Sequence, residues 1–158
     1  MYLDVKKAHL APSCEQDVYV ELPAEAEVAE DDCVKLVHWL YGCRPAAHAW
    51  EEHYSHLLKT QGFRILASVP VAFSHSGRDL LGVVHGDDFI WVGVDRDLDW
   101  VLKVLEGQCE LKNRGRLGFG DGDLKKIDML GRDIEITKDG MIWKGTRDTR
   151  RNCSSISD

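Results

Sequence analysis

The chain lacks the features of an exported, disulfide-rich or membrane-spanning protein. Its 158 residues include five cysteines with no short paired spacing, which argues against a disulfide framework and against a zinc knuckle. No basic start precedes an apolar stretch, and no apolar run approaches the roughly 20 residues that span a bilayer. The sequence therefore predicts an intracellular protein that is not secreted and has no membrane partner.

Positive charge is also scarce. The net charge is −7, which counts against a nucleic-acid binder because phosphate contacts come largely from Lys and Arg. The deficit is local, since residues 1–100 hold 8 basic against 17 acidic residues and residues 101–158 hold 12 against 10. The later basic residues form either a path for a phosphate backbone or a solvated mixed-charge face. They are Lys112, Arg114, Arg116, Lys125, Lys126 and Arg132.

The most informative stretch consists of two apolar arms that meet at Gly86-Asp87-Asp88. The arms run from Leu80 to Val94 and are rich in β-branched and aromatic residues, so they predict a buried β-hairpin with acid at its tip. Adjacent carboxylates repel each other unless a cation intervenes, and hard oxygen ligands suit magnesium or manganese. The corner is therefore either part of a metal site or a turn whose carboxylates only face water.

The remaining pattern predicts an α+β fold in which helices cover one face of an antiparallel sheet. Apolar residues at three- and four-residue steps predict helices over Ala46–Gln61 and Asp97–Glu106. Short β-prone runs predict the strands, with a second hairpin near the end of the chain. These strands begin at Tyr2 and continue over Val18–Leu22, Cys33–Leu40, Val69–Ser74, Leu80–Val84, Cys109–Lys112, Ile134–Ile136 and Met141–Trp143.

Three histidines on the first predicted helix, His48, His53 and His56, raise the question of zinc. Their spacing of five and then three does not set all three on one helical face. No nearby cysteine completes a tetrahedral ligand set. The sequence therefore favours a helix surface over a zinc site.

Five short blocks stand out when the sequence is taken in order. They are Asp4-Val5-Lys6, then Val18-Tyr19-Val20-Glu21-Leu22-Pro23, then Leu40-Tyr41-Gly42 with Ala49-Trp50, then Gly86-Asp87-Asp88, and finally Leu130-Gly131 with Ile134-Glu135-Ile136. Together and in this order, these blocks resemble the catalytic core of copia-type retrotransposon reverse transcriptases. The variant Val84-His85-Gly86-Asp87-Asp88-Phe89 resembles the acidic corner of one subgroup of these elements.

The resemblance implies an RNA-directed DNA polymerase. Residues 1–144 would form a palm-like domain with part of the fingers, and residues 145–158 a disordered tail. Asp4, Asp87 and Asp88 would be the catalytic, metal-binding acids. Asp4 and Asp87 would bridge two Mg²⁺ or Mn²⁺ ions with help from Asp88. The implied partners are an RNA or DNA template-primer and dNTPs, in a cytoplasmic virus-like particle or the nucleus.

Other matched positions imply contacts with the nucleotide and the primer. His9 stands where the family has an aromatic residue that rejects the ribose 2′-hydroxyl. Pro45 stands where the family has a glutamine beside the incoming nucleotide, so both nucleotide-positioning residues depart from the family pattern. Leu130 and Gly131 match the turn that supports the primer end.

The resemblance begins at the first catalytic block and ends after the primer-support block. We therefore expect the chain to lack fingers strands, thumb and ribonuclease H parts of a polyprotein, and to be weakly active or inactive alone. One alternative is a non-catalytic relic or binding module that retains the palm fold, which His9 and Pro45 favour. Another is an unrelated α+β domain with a fortuitous acidic turn, which fails if Asp4 lies beside that turn.

Overall fold

The structure, a computed structural model, describes residues 1–26 and 32–145. The tail predicted over 145–158 lies outside these ranges from position 146 onward. Within the described ranges, two α-helices accompany eleven strands. The helices are α1 (Ala46–Thr60) and α2 (Asp95–Glu106), and the strands are β1 (Tyr2–Val5), β2 (Tyr19–Glu21), β3 (Cys33–Lys35), β4 (Phe63–Leu66), β5 (Val69–His75), β6 (Leu80–His85), β7 (Asp88–Gly93), β8 (Leu111–Gly115), β9 (Lys126–Met129), β10 (Arg132–Thr137) and β11 (Gly140–Gly145).

A six-stranded sheet in the order β4-β5-β6-β7-β1-β8 organises the molecule. Every neighbouring pair in it is antiparallel. Strand β1 therefore lies between β7, which follows the acidic corner, and β8, which follows α2. This order brings the first residues of the chain beside the tip of the central hairpin.

One face of this sheet and both helices enclose the main core. Residues on β6 and β7 alternate between buried and exposed, as expected for strands with one covered face. Trp50 and Leu58 of α1 and Val101 of α2 pack in the same cluster as Phe89 and Trp91 of the sheet. The predicted α+β fold, with helices on one face of an antiparallel sheet, is confirmed.

Helix α2 ends at Glu106 as predicted, and α1 ends at Thr60, one residue before the predicted Gln61. Gly62, at φ 91°, follows α1 and donates its N–H to the carbonyl of Lys59 at 3.0 Å, because glycine adopts the left-handed conformation that closes a helix. Helix α2 begins two residues before its predicted start, so Asp95 and Asp97 both lie in its first turn. Acidic residues are favourable there because they oppose the positive end of the helix dipole.

The opposite face of the large sheet is only partly covered. A three-stranded sheet in the order β11-β10-β9 packs on it, with Ile127 and Ile134 against Tyr2 and Ile90. The predicted second hairpin is confirmed as β10 and β11. Strands β2 and β3 form a separate two-stranded sheet, and β3 is shorter than the strand predicted over Cys33–Leu40. No helix in the described part of the chain is long and apolar enough to cross a membrane.

Candidate active site

Strand pairing places Asp4 directly beside the acidic corner. The register of β1 against β7 sets Asp4 opposite Asp88, and the Val5 N–H donates to the carbonyl of Asp87 at 2.8 Å. Directly opposite residues have Cβ atoms about 5 Å apart and project on the same face. The interpretation of the corner as part of an unrelated domain required these residues to lie apart and therefore fails.

The turn between β6 and β7 is tight, and helix α1 fixes its position. His85 pairs with Asp88, which leaves Gly86 and Asp87 as the two turn residues. Gly86 has φ 63°, and a type II′ hairpin turn places glycine at this first position. The indole N–H of Trp50 donates to the carbonyl of Gly86 at 2.8 Å. Trp50 belongs to the main core, and its indole also holds the acidic turn in place.

A β-bulge on the other side of β1 directs a basic side chain at Asp4. Asn113 opposes Leu3 and Gly115 opposes Tyr2, so Arg114 is the extra residue between them. Bulges re-aim side chains in this way. Both Nε and Nη2 of Arg114 donate to Oδ2 of Asp4, the former at 3.1 Å. This hydrogen bond raises the pKa of Arg114 above its ordinary value.

The other two acids have different surroundings. The hydroxyl of Tyr2 donates to Oδ1 of Asp88 at 2.6 Å. Burial raises the pKa of the Tyr2 phenol and the bond to Asp88 raises it further, so the group remains a neutral donor. Asp87 is exposed, and its carboxylate forms no hydrogen bond or ion pair within the described ranges. The resemblance implies bridging by Asp87, whereas the register sets Asp88 opposite Asp4.

The donor chemistry of this corner suits a divalent cation. Carboxylate oxygens are the ligands that Mg²⁺ and Mn²⁺ prefer, and Asp4 and Asp88 present them from neighbouring strands. No three His, Cys, Asp or Glu side chains among residues 1–26 and 32–145 converge closely enough to hold a metal ion. Arg114 supplies a positive charge to Asp4 instead. The two carboxylates fit a cation if this guanidinium moves.

The two predicted nucleotide-positioning residues are not hydrogen-bonded to the three acids. His9 lies in a short 3₁₀ helix and stacks on Tyr41 with ring centroids 4.7 Å apart. Its Nδ1 atom is buried and has no partner in the described part of the chain. Pro45 directly precedes α1. Neither residue forms a hydrogen bond or ion pair with Asp4, Asp87 or Asp88.

A groove of about 700 Å³ runs along α1, and Pro45 lines it together with His48, His53 and His56. The three predicted catalytic acids are not among its lining residues. The groove brings the histidines to one surface, although they do not belong to any metal-holding group of described residues. The groove is therefore separate from the acidic corner.

The predicted primer-support residues form a hairpin turn. Met129 pairs with Arg132, which leaves Leu130 and Gly131 at the tip between β9 and β10. Their φ angles are 52° and 68°, and a type I′ turn requires positive φ at both positions. Leu130 is 46% exposed. The hairpin thus presents an apolar side chain in a backbone conformation that leucine rarely adopts.

The contacts of Tyr2 and Arg114 with the acids were not predicted from the sequence. Tyr2 lies two residues before Asp4, and this spacing predicts a shared strand face once the strand is recognised. The contact of Arg114 depends on the bulge, for which the only local signal is the sequence Asn113-Arg114-Gly115. Glycine in a strand often marks such an irregularity.

The basic residues form a mixed-charge surface in which many positive charges have internal partners. Arg116 pairs with Asp95 at 3.2 Å and also with Asp99. Lys126 pairs with Asp133 at 2.9 Å. These contacts, together with that of Arg114, favour the mixed-charge interpretation over a continuous phosphate path.

An antiparallel sheet with helices on one face and paired acids on the other defines an α+β protein compatible with a nucleic-acid polymerase. A family model described as reverse transcriptase (RNA-dependent DNA polymerase) matches residues 1–122. The chain belongs to the reverse transcriptase family, which confirms the family predicted from the sequence blocks.

A curated relative shows what kind of larger protein contains such a region. The chain is 33% identical over 120 residues to the retrovirus-related Pol polyprotein from transposon TNT 1-94 of Nicotiana tabacum. This alignment covers 72% of the chain and 9% of the polyprotein. The chain thus spans a small part of that relative. No solved structure matches it.

Proposed function

We propose that this chain is the polymerase core of a copia-like reverse transcriptase and adds nucleotides to a primer end. The observation that carries the proposal is the register that sets Asp4 opposite Asp88, with Asp87 in the adjoining turn. A fortuitous acidic turn would not require another acid to face it from a different strand. Residues 1–144 are the proposed palm and partial fingers.

The proposed chemistry requires carboxylates from more than one strand. Two Mg²⁺ or Mn²⁺ ions held by these carboxylates would supply the positive charge that activates a primer hydroxyl and neutralises a leaving pyrophosphate. In this proposal Asp4, Asp87 and Asp88 hold the ions. The indole of Trp50 holds the Gly86 carbonyl and so keeps the turn in place. Rigid placement matters because small displacements of catalytic groups lower the rate strongly.

The remaining predicted contacts are part of the same proposal. His9 and Pro45 would border the incoming dNTP, and the turn at Leu130 and Gly131 would support the primer end. An RNA or DNA template would pair with the primer across the partly open sheet face. The relative's description as a Pol polyprotein supports a polyprotein context. Fingers, thumb and ribonuclease H parts elsewhere and an intracellular site of action belong to the same proposal.

A second candidate function has its own supporting observation. Arg114 holds the carboxylate of Asp4, and a permanent ion pair there would suit a non-catalytic relic or binding module that retains the fold. The departures from the family at His9 and Pro45 point in the same direction. Such a protein would bind at most a weak cation and would add no nucleotide.

Mn²⁺ binding and single-nucleotide addition test the proposal together. The full chain is titrated with Mn²⁺ while free Mn²⁺ is followed by electron paramagnetic resonance. Single-turnover addition is then measured on a primed RNA template. We expect weak addition that Asp4→Asn and Asp87→Asn abolish and that the control Asp139→Asn, in the exposed β10–β11 turn, leaves unchanged.

The two candidates give different results in these assays. Binding of Mn²⁺ that depends on Asp4, without detectable addition at any Mn²⁺ concentration, would support the second candidate for this chain on its own and would contradict the expected weak addition. Addition that persists in Asp87→Asn at the wild-type rate would contradict the assigned acids. Absence of both binding and addition would contradict the polymerase proposal for this chain.

A further inference from the structure

The bulge in β8 has a defined construction that fixes the direction of Arg114. The side-chain carbonyl of Asn113 accepts the N–H of Gly115 at 2.9 Å, and Gly115 has φ 119°. A residue with a Cβ atom at Gly115 would approach the Leu124 side chain to 2.6 Å. The local sequence therefore supports a backbone that turns Arg114 toward Asp4.

Arg114 and a divalent cation require the same atom. Two N–H groups of the guanidinium converge on Oδ2 of Asp4. A metal ion coordinated at this oxygen would take the lone pairs that these N–H groups use. It would also repel the guanidinium, because both are positive. The two cations therefore exclude each other at Asp4.

The paired acids have a specific need for a positive charge. Like charges directly opposite each other destabilise a sheet, and Asp4 faces Asp88. Tyr2 offers Asp88 only a neutral donor. Lys112 also opposes Asp4, but within the described ranges its ammonium forms no salt bridge with this carboxylate. Arg114 is the cation that does.

We propose that Arg114 is an exchangeable internal counter-ion, which divalent cations must displace from Asp4 to bind. The inference rests on the proposed function, since it concerns the same carboxylates. Arg114 is a positioning residue in this scheme: it holds Asp4 until a cation takes over. Cation affinity is then set by the competition as well as by the acids.

The competition predicts that removal of Arg114 strengthens Mn²⁺ binding. Arg114→Gln removes both the competing donor and a nearby positive charge, so Mn²⁺ affinity rises by about tenfold. Arg114→Lys keeps the charge and loses the planar fork, so its affinity lies between those of Arg114→Gln and the wild type. The matched control is Arg116→Gln, which removes an arginine that pairs with Asp95 and Asp99 and leaves Mn²⁺ affinity unchanged.

The experiment is an Mn²⁺ titration of the full-length variants, followed by electron paramagnetic resonance. A thermal melt of each variant in chelator is recorded in parallel. Three results in Arg114→Gln support the inference. Mn²⁺ binds more tightly than to the wild type, the melting temperature in chelator is lower, and Mn²⁺ raises the melting temperature by more than it does in the wild type. Unchanged or weaker binding in Arg114→Gln overturns it, because a residue that only orients Asp4 would lose affinity when removed.

The same titration separates this inference from the proposed function. If Asp4→Asn abolishes Mn²⁺ binding but the Arg114 variants bind as the wild type does, the inference fails and the metal site stands. If no variant shows Asp4-dependent binding, the proposed metal site fails and the inference with it. Folding of Arg114→Gln is checked by the near-ultraviolet circular dichroism of its tryptophans. If this variant does not fold, Arg114→Lys is the test: higher Mn²⁺ affinity than the wild type supports the inference, and unchanged or lower affinity overturns it.

Discussion

At the scale of single residues, Trp50 connects the hydrophobic core with the candidate catalytic turn. Its ring is 1% exposed and packs near Phe89, with ring centroids 6.2 Å apart. Its indole N–H leaves the apolar cluster to reach the carbonyl of Gly86. Buried indole N–H groups usually have a hydrogen-bond partner, and here the partner belongs to the turn that carries Asp87.

The first prediction concerns this indole. Trp50→Phe removes the donor and with it the hydrogen bond to the Gly86 carbonyl, so the free energy of unfolding falls by about 0.5–1.5 kcal/mol. Mn²⁺ affinity at the acidic corner falls as well, because the turn loses its anchor. Urea denaturation and Mn²⁺ titration measure the two effects. Trp100→Phe is the control, since it also removes an indole but lies on α2 away from the turn, and equal effects of both variants on Mn²⁺ affinity contradict the argument.

Leu130 has a strained backbone conformation and is also proposed to support the primer end. A non-glycine residue in the left-handed region is strained by about 1 kcal/mol, and such strain concentrates at functional positions. Leu130→Asn creates the Asn-Gly pair that type I′ turns prefer. We expect a gain of about 0.5–1 kcal/mol in the free energy of unfolding.

A functional cost at Leu130 distinguishes primer support from ordinary turn strain. If Leu130 contacts the primer, Leu130→Asn raises the KM for primer while it stabilises the fold. Lys138→Asn, in the β10–β11 turn, is the control because Lys138 does not have positive φ. A stabilised Leu130→Asn protein with an unchanged KM for primer would show that the turn has no part in primer binding.

At the scale of elements, the contact between β6 and β7 depends on one glycine. A Cβ atom at Gly82 would lie 2.2 Å from the ring of Trp91, which is fully buried. Gly82→Ala therefore forces the ring or the strand to shift and lowers the free energy of unfolding by about 1–3 kcal/mol. Urea denaturation measures the loss. Gly107→Ala is the control, since Gly107 has φ −74° and meets nothing closer than 3.5 Å, and a similar loss there would refute the packing explanation.

A buried carboxylate joins α2 to the β5–β6 turn. Asp97 is 1% exposed and accepts a hydrogen bond from Arg78 at 2.9 Å and one from the Asp79 N–H at 3.3 Å. Burial alone raises the pKa of Asp97, but these bonds and the nearby Arg96 outweigh it, so the pKa lies below its ordinary value. The charged form of Asp97 therefore stabilises the fold.

The pH dependence of stability follows from this direction. A carboxyl with a lowered folded-state pKa contributes its full stability above the unfolded value of about 3.9 and loses it as the pH falls through the folded value. We expect Asp97→Asn to melt below the wild type at pH 7, and the difference to shrink as the pH falls below about 4. Asp95→Asn, an exposed acid of the same helical turn, is the control. A gap of constant size down to pH 2 would indicate a steric cause.

Elements with a strong internal pattern were predictable, whereas those that depend on partners were not. The predicted Ala46–Gln61 helix is α1, and the hairpin arms around the acidic corner are β6 and β7. Strand β9 was missed because its sequence Lys-Ile-Asp-Met carries two charges in four residues and becomes a strand by pairing with β10. Strand β4 was missed because it has only four residues, Phe-Arg-Ile-Leu, with a charged residue directly after Phe63.

Of the candidate site, the grouping of the acids could be predicted from the sequence, and the contact of Arg114 could not. The sequence blocks predict Asp4, Asp87 and Asp88 as one group, and strand pairing places Asp4 beside the turn. The contact of Arg114 was not predictable, because a single extra residue in β8 determines which neighbour the side chain meets. Register shifts of this kind leave almost no trace in apolar periodicity.

At the scale of the whole molecule, the distribution of charge limits how nucleic acid can bind. The net charge is −7, and three of the six basic residues singled out from the sequence form ion pairs within the fold. A fourth, Lys125, donates to the carbonyl of Gly118 at 2.8 Å. Lysines and arginines held in this way release few counter-ions when a phosphate backbone approaches.

The salt dependence of binding measures how many of these charges reach phosphates. We expect the affinity of the full chain for an RNA–DNA hybrid, measured by fluorescence anisotropy, to fall with salt at a logarithmic slope of magnitude below about 3. Lys112→Ala reduces the slope by about 1, because Lys112 is exposed and forms no salt bridge within the described ranges. Lys125→Ala changes it little, because its ammonium already bonds to Gly118. A wild-type slope of about 5 or 6 would instead mean that the ion pairs open on binding and that the basic residues form a continuous phosphate path.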